Sequence, residues 1–316
     1  MKILRYSLVT FMSFVALTVV GQNSGGAVQF PELTPDVRGV GMGNTGVASS
    51  ANAFSLWRNA AKSVFADSKM EVGYSFTPWL RELMSGSDMH VVGGYYNIGN
   101  KQGIMAGFRW FKHTEIELGE KVFTPKDWSV DVGYTRKLTQ ELSLGVVARF
   151  VRSNMSMMDE DAIANAVAFD LGVYYQRKLS WSANSYWAIG LQASNFGTKI
   201  DYGYGKYDQP AKVSVGGMIC HVFGEKHCLQ GSLDIGNRVL PDSRWDGALG
   251  VEYRALNIIS VRGGYHYGEE NNRMQRYGTL GCGVTLFHVQ VDVAYIIPET
   301  DSFLKNTWQV ALSVNL

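Results

Sequence analysis

The chain has 316 residues, 46% of them hydrophobic, yet its mean hydropathy is only −0.07 and its formal net charge +1. So small a charge leaves no electrostatic footprint for nucleic acid. High apolar content at balanced hydropathy is what alternating apolar and polar residues give, and 35 Gly, 16 Tyr and 8 Trp against 7 Pro suit turns, close strand approaches and membrane–water interfaces.

Residues 1–21 read as an export signal. Lys2 and Arg5 give a positively charged start, residues 3–20 supply the apolar region, and Gly21 is a small residue at the expected cleavage point. Ser7, Thr10, Ser13 and Thr18 interrupt that stretch, which is short for a membrane anchor. No cysteine follows to carry a lipid, and no later segment is apolar enough for a spanning helix. If the mature chain sits in a membrane, it crosses with strands.

Residues 22–67 do not alternate like strands. Gly39, Gly41, Gly43 and Gly46 lead into AFSLWRNAAKSVF over 53–65, which predicts a short helix. Such a segment is expected to fold into the lumen as a plug, since a wide barrel is otherwise open. The glycine cluster lacks the Lys-Ser/Thr and the preceding strand of a phosphate loop.

From 68 to 316 the alternation has period two. Met70, Val72, Tyr74 and Phe76 share one face; so do Val289, Val291, Val293, Tyr295 and Ile297; so do Trp308, Val310, Leu312, Val314 and Leu316. Opposite them stand Asp131, Arg149, Asp170, Gln290 and Asp292, tolerable only toward a polar lumen. Long connections near 77–88, 112–126, 152–165, 196–209, 237–244, 267–275 and 298–306 alternate with short ones near 98–103, 136–141, 177–184, 223–226, 254–257 and 286–288. This parity predicts an all-β fold: an antiparallel outer-membrane β-barrel of about 14 strands, short turns periplasmic and long loops outside. The turn at 286–288 is the least marked, having no Gly, Asn or Pro.

Catalytic and metal chemistry find little support. Cys220-His221 and His227-Cys228 flank a tight turn, but adjacent strand residues point to opposite faces, so the four cannot converge on Zn²⁺. Cys220 and Cys228 can form a cross-strand disulfide if a three-residue loop sets the register; a two-residue loop puts them on opposite faces. His90, His113, His266 and His288 are scattered, and no Ser-His-acid set assembles. No cofactor is expected. Partner contacts are expected instead at Trp79, Leu80, Leu83 and Met84 in the first long loop, and at Met155, Met157 and Met158 in the third.

FPELTPDVRGVGMGNTGVASSANAFSLWRNAAKSVF, followed by VGYSFTPWLREL, resembles the opening of the PorV/PorQ family of Bacteroidota outer-membrane proteins, and is closer to the PorV branch. The resemblance is best over 31–83, with Arg38, Gly41, Met42, Gly43 and Asn59 in its plug motif; Asn59-Ala60-Ala61 stands where the family commonly has Asn-Pro-Ala. It implies a FadL-like barrel with an N-terminal plug. It also implies a non-enzymatic role in type IX secretion, docking a translocon, a sortase or the C-terminal domain of secreted cargo. The alternative it leaves is a FadL-like channel for hydrophobic compounds.

Overall fold

The structure, a computed structural model, describes residues 30–79, 86–118, 121–156, 162–180, 182–203, 205–224, 226–269, 276–299 and 304–316. Its strands are β1 (Met70–Pro78), β2 (Asp88–Ile98), β3 (Gln102–Lys112), β4 (Ile116–Leu118), β5 (Lys121–Phe123), β6 (Lys126–Lys137), β7 (Leu142–Asn154), β8 (Ile163–Leu179) and β9 (Ser182–Gly197). There follow β10 (Ile200–Asp201), β11 (Lys206–Tyr207), β12 (Lys212–Phe223), β13 (His227–Arg238), β14 (Arg244–Ala255), β15 (Ile259–Gly268), β16 (Tyr277–Leu286), β17 (Val289–Pro298) and β18 (Trp308–Asn315). Fourteen of them form one closed antiparallel barrel in which β1 pairs with β18; β4–β5 and β10–β11 are small hairpins in the long connections. Closure removes the free edges that a membrane cannot tolerate. Among the described residues no helix is long and apolar enough to cross a membrane.

The period-two pattern fixes which side faces lipid. In β1, Val72 and Tyr74 are exposed while Glu71, Gly73 and Ser75 are buried in the lumen. The same parity holds in β17, where Val289, Val291 and Val293 face out. Slipping any strand by one residue would exchange its lipid and lumen faces, so the register is strongly specified. The turn after β16 forms despite its weak mark, because Phe287 itself takes the left-handed conformation (φ 54°).

Residues 30–66 fill the lumen. The expected helix over 53–65 is broken: a short α-helix spans Ser55–Arg58 and a 3-10 helix spans Ala60–Phe65. Asn59 between them is extended, and its side chain accepts from the Ala61 amide, so it ends one element and caps the next. A second helix, Val37–Gly41, was not legible from periodicity. It starts at Asp36, whose carboxylate accepts from the Gly39 amide at 3.2 Å.

Candidate functional site: the plug, its seat and the mouth

Small wall residues let the plug approach the barrel closely. A Cβ placed on Gly93 of β2 would lie 2.5 Å from the Trp57 ring, and one on Gly145 of β7 would lie 2.5 Å from the Ala61 nitrogen. Gly41 is 3.0 Å from where a Cβ on Gly281 would stand, and Gly43 and Met42 press on Gly264 and Gly250 in the same way. The glycines of the plug motif thus meet glycines of the wall, backbone against backbone. Only Gly permits such an approach.

Hydrogen bonds complete the seat. Thr279 Oγ1 accepts from the Gly43 amide (2.8 Å) and donates to the Gly41 carbonyl (3.1 Å). Asp234 Oδ2 accepts from the Gly46 and Val47 amides at 2.7 and 3.0 Å. Asn59 donates to the Val47 carbonyl within the plug and to Val173 of β8, both at 3.0 Å. Ser143 donates to the Ala61 carbonyl at 2.6 Å.

Two buried ion-pair ladders flank these contacts. In the first, Arg38 of the plug meets Glu252 of β14 through two bonds of 2.8 Å. Arg262 Nε reaches the same carboxylate at 2.6 Å, Arg254 reaches it at 3.1 Å, and Arg262 continues to Asp292 at 2.6 Å. Burial alone favours a neutral guanidinium at Arg38, but the Glu252 carboxylate outweighs that and holds it charged. In the second ladder, Asp131 contacts Arg109 and Arg149, and Arg149 Nη2 pairs with Asp170 at 2.9 Å. Arg109 also donates to the Pro31 carbonyl and stacks against Phe30 and Trp57 of the plug. Paired in this way, the charges are tolerable in a dry lumen.

Lys62 is the exception. Its fully buried amine donates to the Gly46 carbonyl (2.7 Å) and the Ser49 hydroxyl (3.0 Å), and burial pushes its pKa from 10.5 down to about 8. Below pH 8 the folded protein bears the full cost of that charge. Between about 8 and 10.5 the unfolded chain holds a proton that the folded one has lost, so stability rises with pH. The expected gain is at most about 3 kcal/mol. Urea unfolding across this range checks it, because Lys62→Met should flatten the slope relative to the parent.

Of the residues expected to meet partners, Trp79 and Met155 are partly buried and pack inward against the apolar cluster at the mouth. Ile200, Tyr202 and Leu304 from other long connections join the same cluster. Leu80, Leu83, Met84, Met157 and Met158 lie outside the described residues. Between the plug and the barrel wall is a cavity of about 110 Å³ whose lining includes Arg58 of the plug and Arg149, Asp170, Lys212, Asp234 and His266 of the wall. At the opposite end, beneath the plug, a vestibule of about 790 Å³ is bordered by Phe65, Lys69, Lys137 and Glu141.

Cys220 and Cys228 share the lumen side, while His221 and His227 lie on the outer side of the same hairpin. The loop has three residues, but the register pairs Cys220 with Gln230 and Cys228 with Val222. The cysteines are therefore diagonal neighbours, not directly opposed, with free sulfurs 2.7 Å apart. In an oxidising compartment we expect this pair to close. Intact-mass measurement should then find the purified protein two hydrogens lighter than after reduction, with only Cys282 alkylated beforehand.

Sequence reasoning missed Glu252, Arg262, Arg109 and Lys62. The first three sit on the inward parity of their strands, as Asp131 and Arg149 do, and that parity could have found them. Lys62 carried no signal, because its burial depends on the break at Asn59.

The family described as type IX secretion system protein PorV matches residues 22–244. No curated protein matched the chain. Among solved structures, the TodX deltaS2S3 mutant monoaromatic hydrocarbon channel superposes with a TM-score of 0.61 at 13% identity, covering 89% of this chain and 98% of that one. The toluene transporter TbuX of Ralstonia pickettii gives 0.57 at 14% identity, covering 90% and 98%. The toluene transporter TodX of P. putida gives 0.57 at 12%, covering 88% and 97%. At these identities the likeness is one of fold.

Proposed function

Since this chain belongs to the PorV family of type IX secretion system proteins, we propose that it is a non-enzymatic docking component of protein export, working from the mouth of a sealed outer-membrane barrel. The family match carries the reading, and the seat of the plug supports it. Where wall glycines touch plug backbone, no solute passes between plug and wall unless the plug moves. The cavity against the plug sets Arg58, Arg149, Asp170, Lys212 and Asp234 beside Leu33, Val47 and Trp57, so an aromatic hydrocarbon there would desolvate charge. Docking needs a rigid barrel and surface at the long loops; of the side chains expected to meet partners, Trp79 and Met155 pack inward and so brace those loops rather than form that surface.

Affinity capture from detergent-solubilised outer membranes tests this. A translocon, a sortase or cargo bearing its C-terminal domain is expected to co-purify, and deleting residues 80–85 should weaken that recovery while the barrel stays folded. Normal secretion in cells lacking the protein, together with slowed uptake of a hydrophobic compound, would replace docking by transport.

A further inference from the structure

The plug runs through the lumen in one direction. Its first described residues stand at the long-loop end. The Arg109 guanidinium lies 5.2 Å from the centre of the Phe30 ring and donates to the Pro31 carbonyl, and Arg109 is three residues short of the outer end of β3. Glu32 pairs at 3.1 Å with Arg238, the last residue of β13. The far end of the plug stands at the short turns. Asn97 of β2 donates to the Ser63 carbonyl at 3.0 Å, and Lys137, the last residue of β6, lies over the Phe65 ring. From residue 30 to residue 66 the chain therefore crosses the lumen from mouth to base, and β1 sets out from the base.

Whatever precedes Phe30 thus starts from the mouth. Eight residues, QNSGGAVQ over 22–29, separate it from the expected cleavage point at Gly21. Fully extended, they reach at most about 28 Å. A return to the base covers about 24 Å, the rise of β3 from Arg109 to Gln102 at about 3.4 Å per residue. Length alone barely allows that return, and the lumen does not. A Cβ on Gly93, Gly107, Gly145, Gly190, Gly250 or Gly264 would come within 2.5 Å of a plug atom, so the plug touches the wall on β2, β3, β7, β9, β14 and β15. The cavity beside it, about 110 Å³, has room for a few waters and not for a second strand of peptide.

We propose that the processed amino terminus lies on the long-loop side of the outer membrane, at the cell surface, with residues 22–29 as an arm at the mouth. The plug then carries its own leading end across the membrane as the barrel is assembled. The composition of the arm suits that passage. It has no Asp, Glu, Lys or Arg in a chain that is 18% charged, so the α-amine is the one charge it brings through the lumen. An uncharged arm is thereby added to the loop surface, and its placement stands whether or not that surface docks a partner.

Thiol labelling of the full chain in cells tests this. With Cys220, Cys228 and Cys282 replaced by alanine, single cysteines are introduced as Ser24→Cys or Ala27→Cys in the arm, Val122→Cys in the β4–β5 hairpin and Asn100→Cys in a short turn. A membrane-impermeant maleimide–polyethylene glycol is added before and after the outer membrane is permeabilised, and labelling is read as a gel shift. Both arm variants should label in intact cells to the extent of Val122→Cys, whereas Asn100→Cys should gain several-fold on permeabilisation. Arm cysteines that label only after permeabilisation, together with Asn100→Cys, would overturn the proposal. So would arm cysteines protected until the protein is denatured, which would place the arm inside the barrel. Exchanged behaviour of Val122→Cys and Asn100→Cys would overturn the surface location through the orientation of the barrel itself. Two arm positions keep the test decisive if processing removes residue 24, and heat-modified gel mobility identifies the folded variants.

Discussion

Replacing Glu252 by glutamine should cost about 3–5 kcal/mol, the loss typical of removing one partner from a buried charge network. Three guanidiniums, from Arg38, Arg254 and Arg262, converge on that carboxylate. Without its charge, Arg38 faces a buried neutral amide, while Arg262 keeps Asp292. The reverse change, Arg38→Met, leaves Glu252 with two cations and should cost less, on the order of 1–2 kcal/mol. Urea unfolding of the refolded barrel in lipid, followed by tryptophan fluorescence, measures both. Equal losses, or a larger one for Arg38→Met, would show that the network does not centre on Glu252.

Gly145→Val should unseat the plug. The added carbons meet the backbone of Ala60 and Ala61, which has no rotamer to escape into, so the 3-10 helix must move or the wall must bulge. Overpacking of this kind costs about 1–3 kcal/mol or more. The readout that separates it from simple destabilisation is conductance: the parent should be silent in a planar bilayer, and the variant should show openings. Gly217→Val is the matched control. A Cβ at Gly217 meets nothing within 4 Å, and its stability and conductance should be those of the parent. Silence from Gly145→Val at full stability would mean that the wall relaxes around the insertion.

Much of the barrel was legible because lipid imposes a rule on every second residue. Val72 and Tyr74 against Glu71 and Ser75, or Val291 and Val293 against Gln290 and Asp292, declare their faces without any knowledge of neighbours. The turn at Phe287 was the hardest to place, since it closes on a residue with no turn preference. The seat of the plug was not legible. Arg38 and Glu252 are 214 positions apart and meet only because barrel closure and plug insertion bring them together. The break at Asn59 was hidden for a related reason, because AFSLWRNAAKSVF has helical spacing throughout and only wall contacts favour the extended residue. The glycines at 41 and 43 stood out in sequence, but their counterparts at 250, 264 and 281 look like any strand glycine until the two sets touch.

The seating of Gly41 and Gly43 against Gly281 and Gly264 has a bearing on biogenesis. The plug precedes the barrel in the chain, yet part of its cradle lies in strands near the other end. Until β15 and β16 arrive, the opening segment can bring Arg38 to Glu252 of β14 but lacks the seat at Gly264, Thr279 and Gly281. The seat of Gly41 and Gly43 is therefore complete only once β15 and β16 are in place. A chain truncated before β15 should reach the membrane with residues 37–48 open to protease.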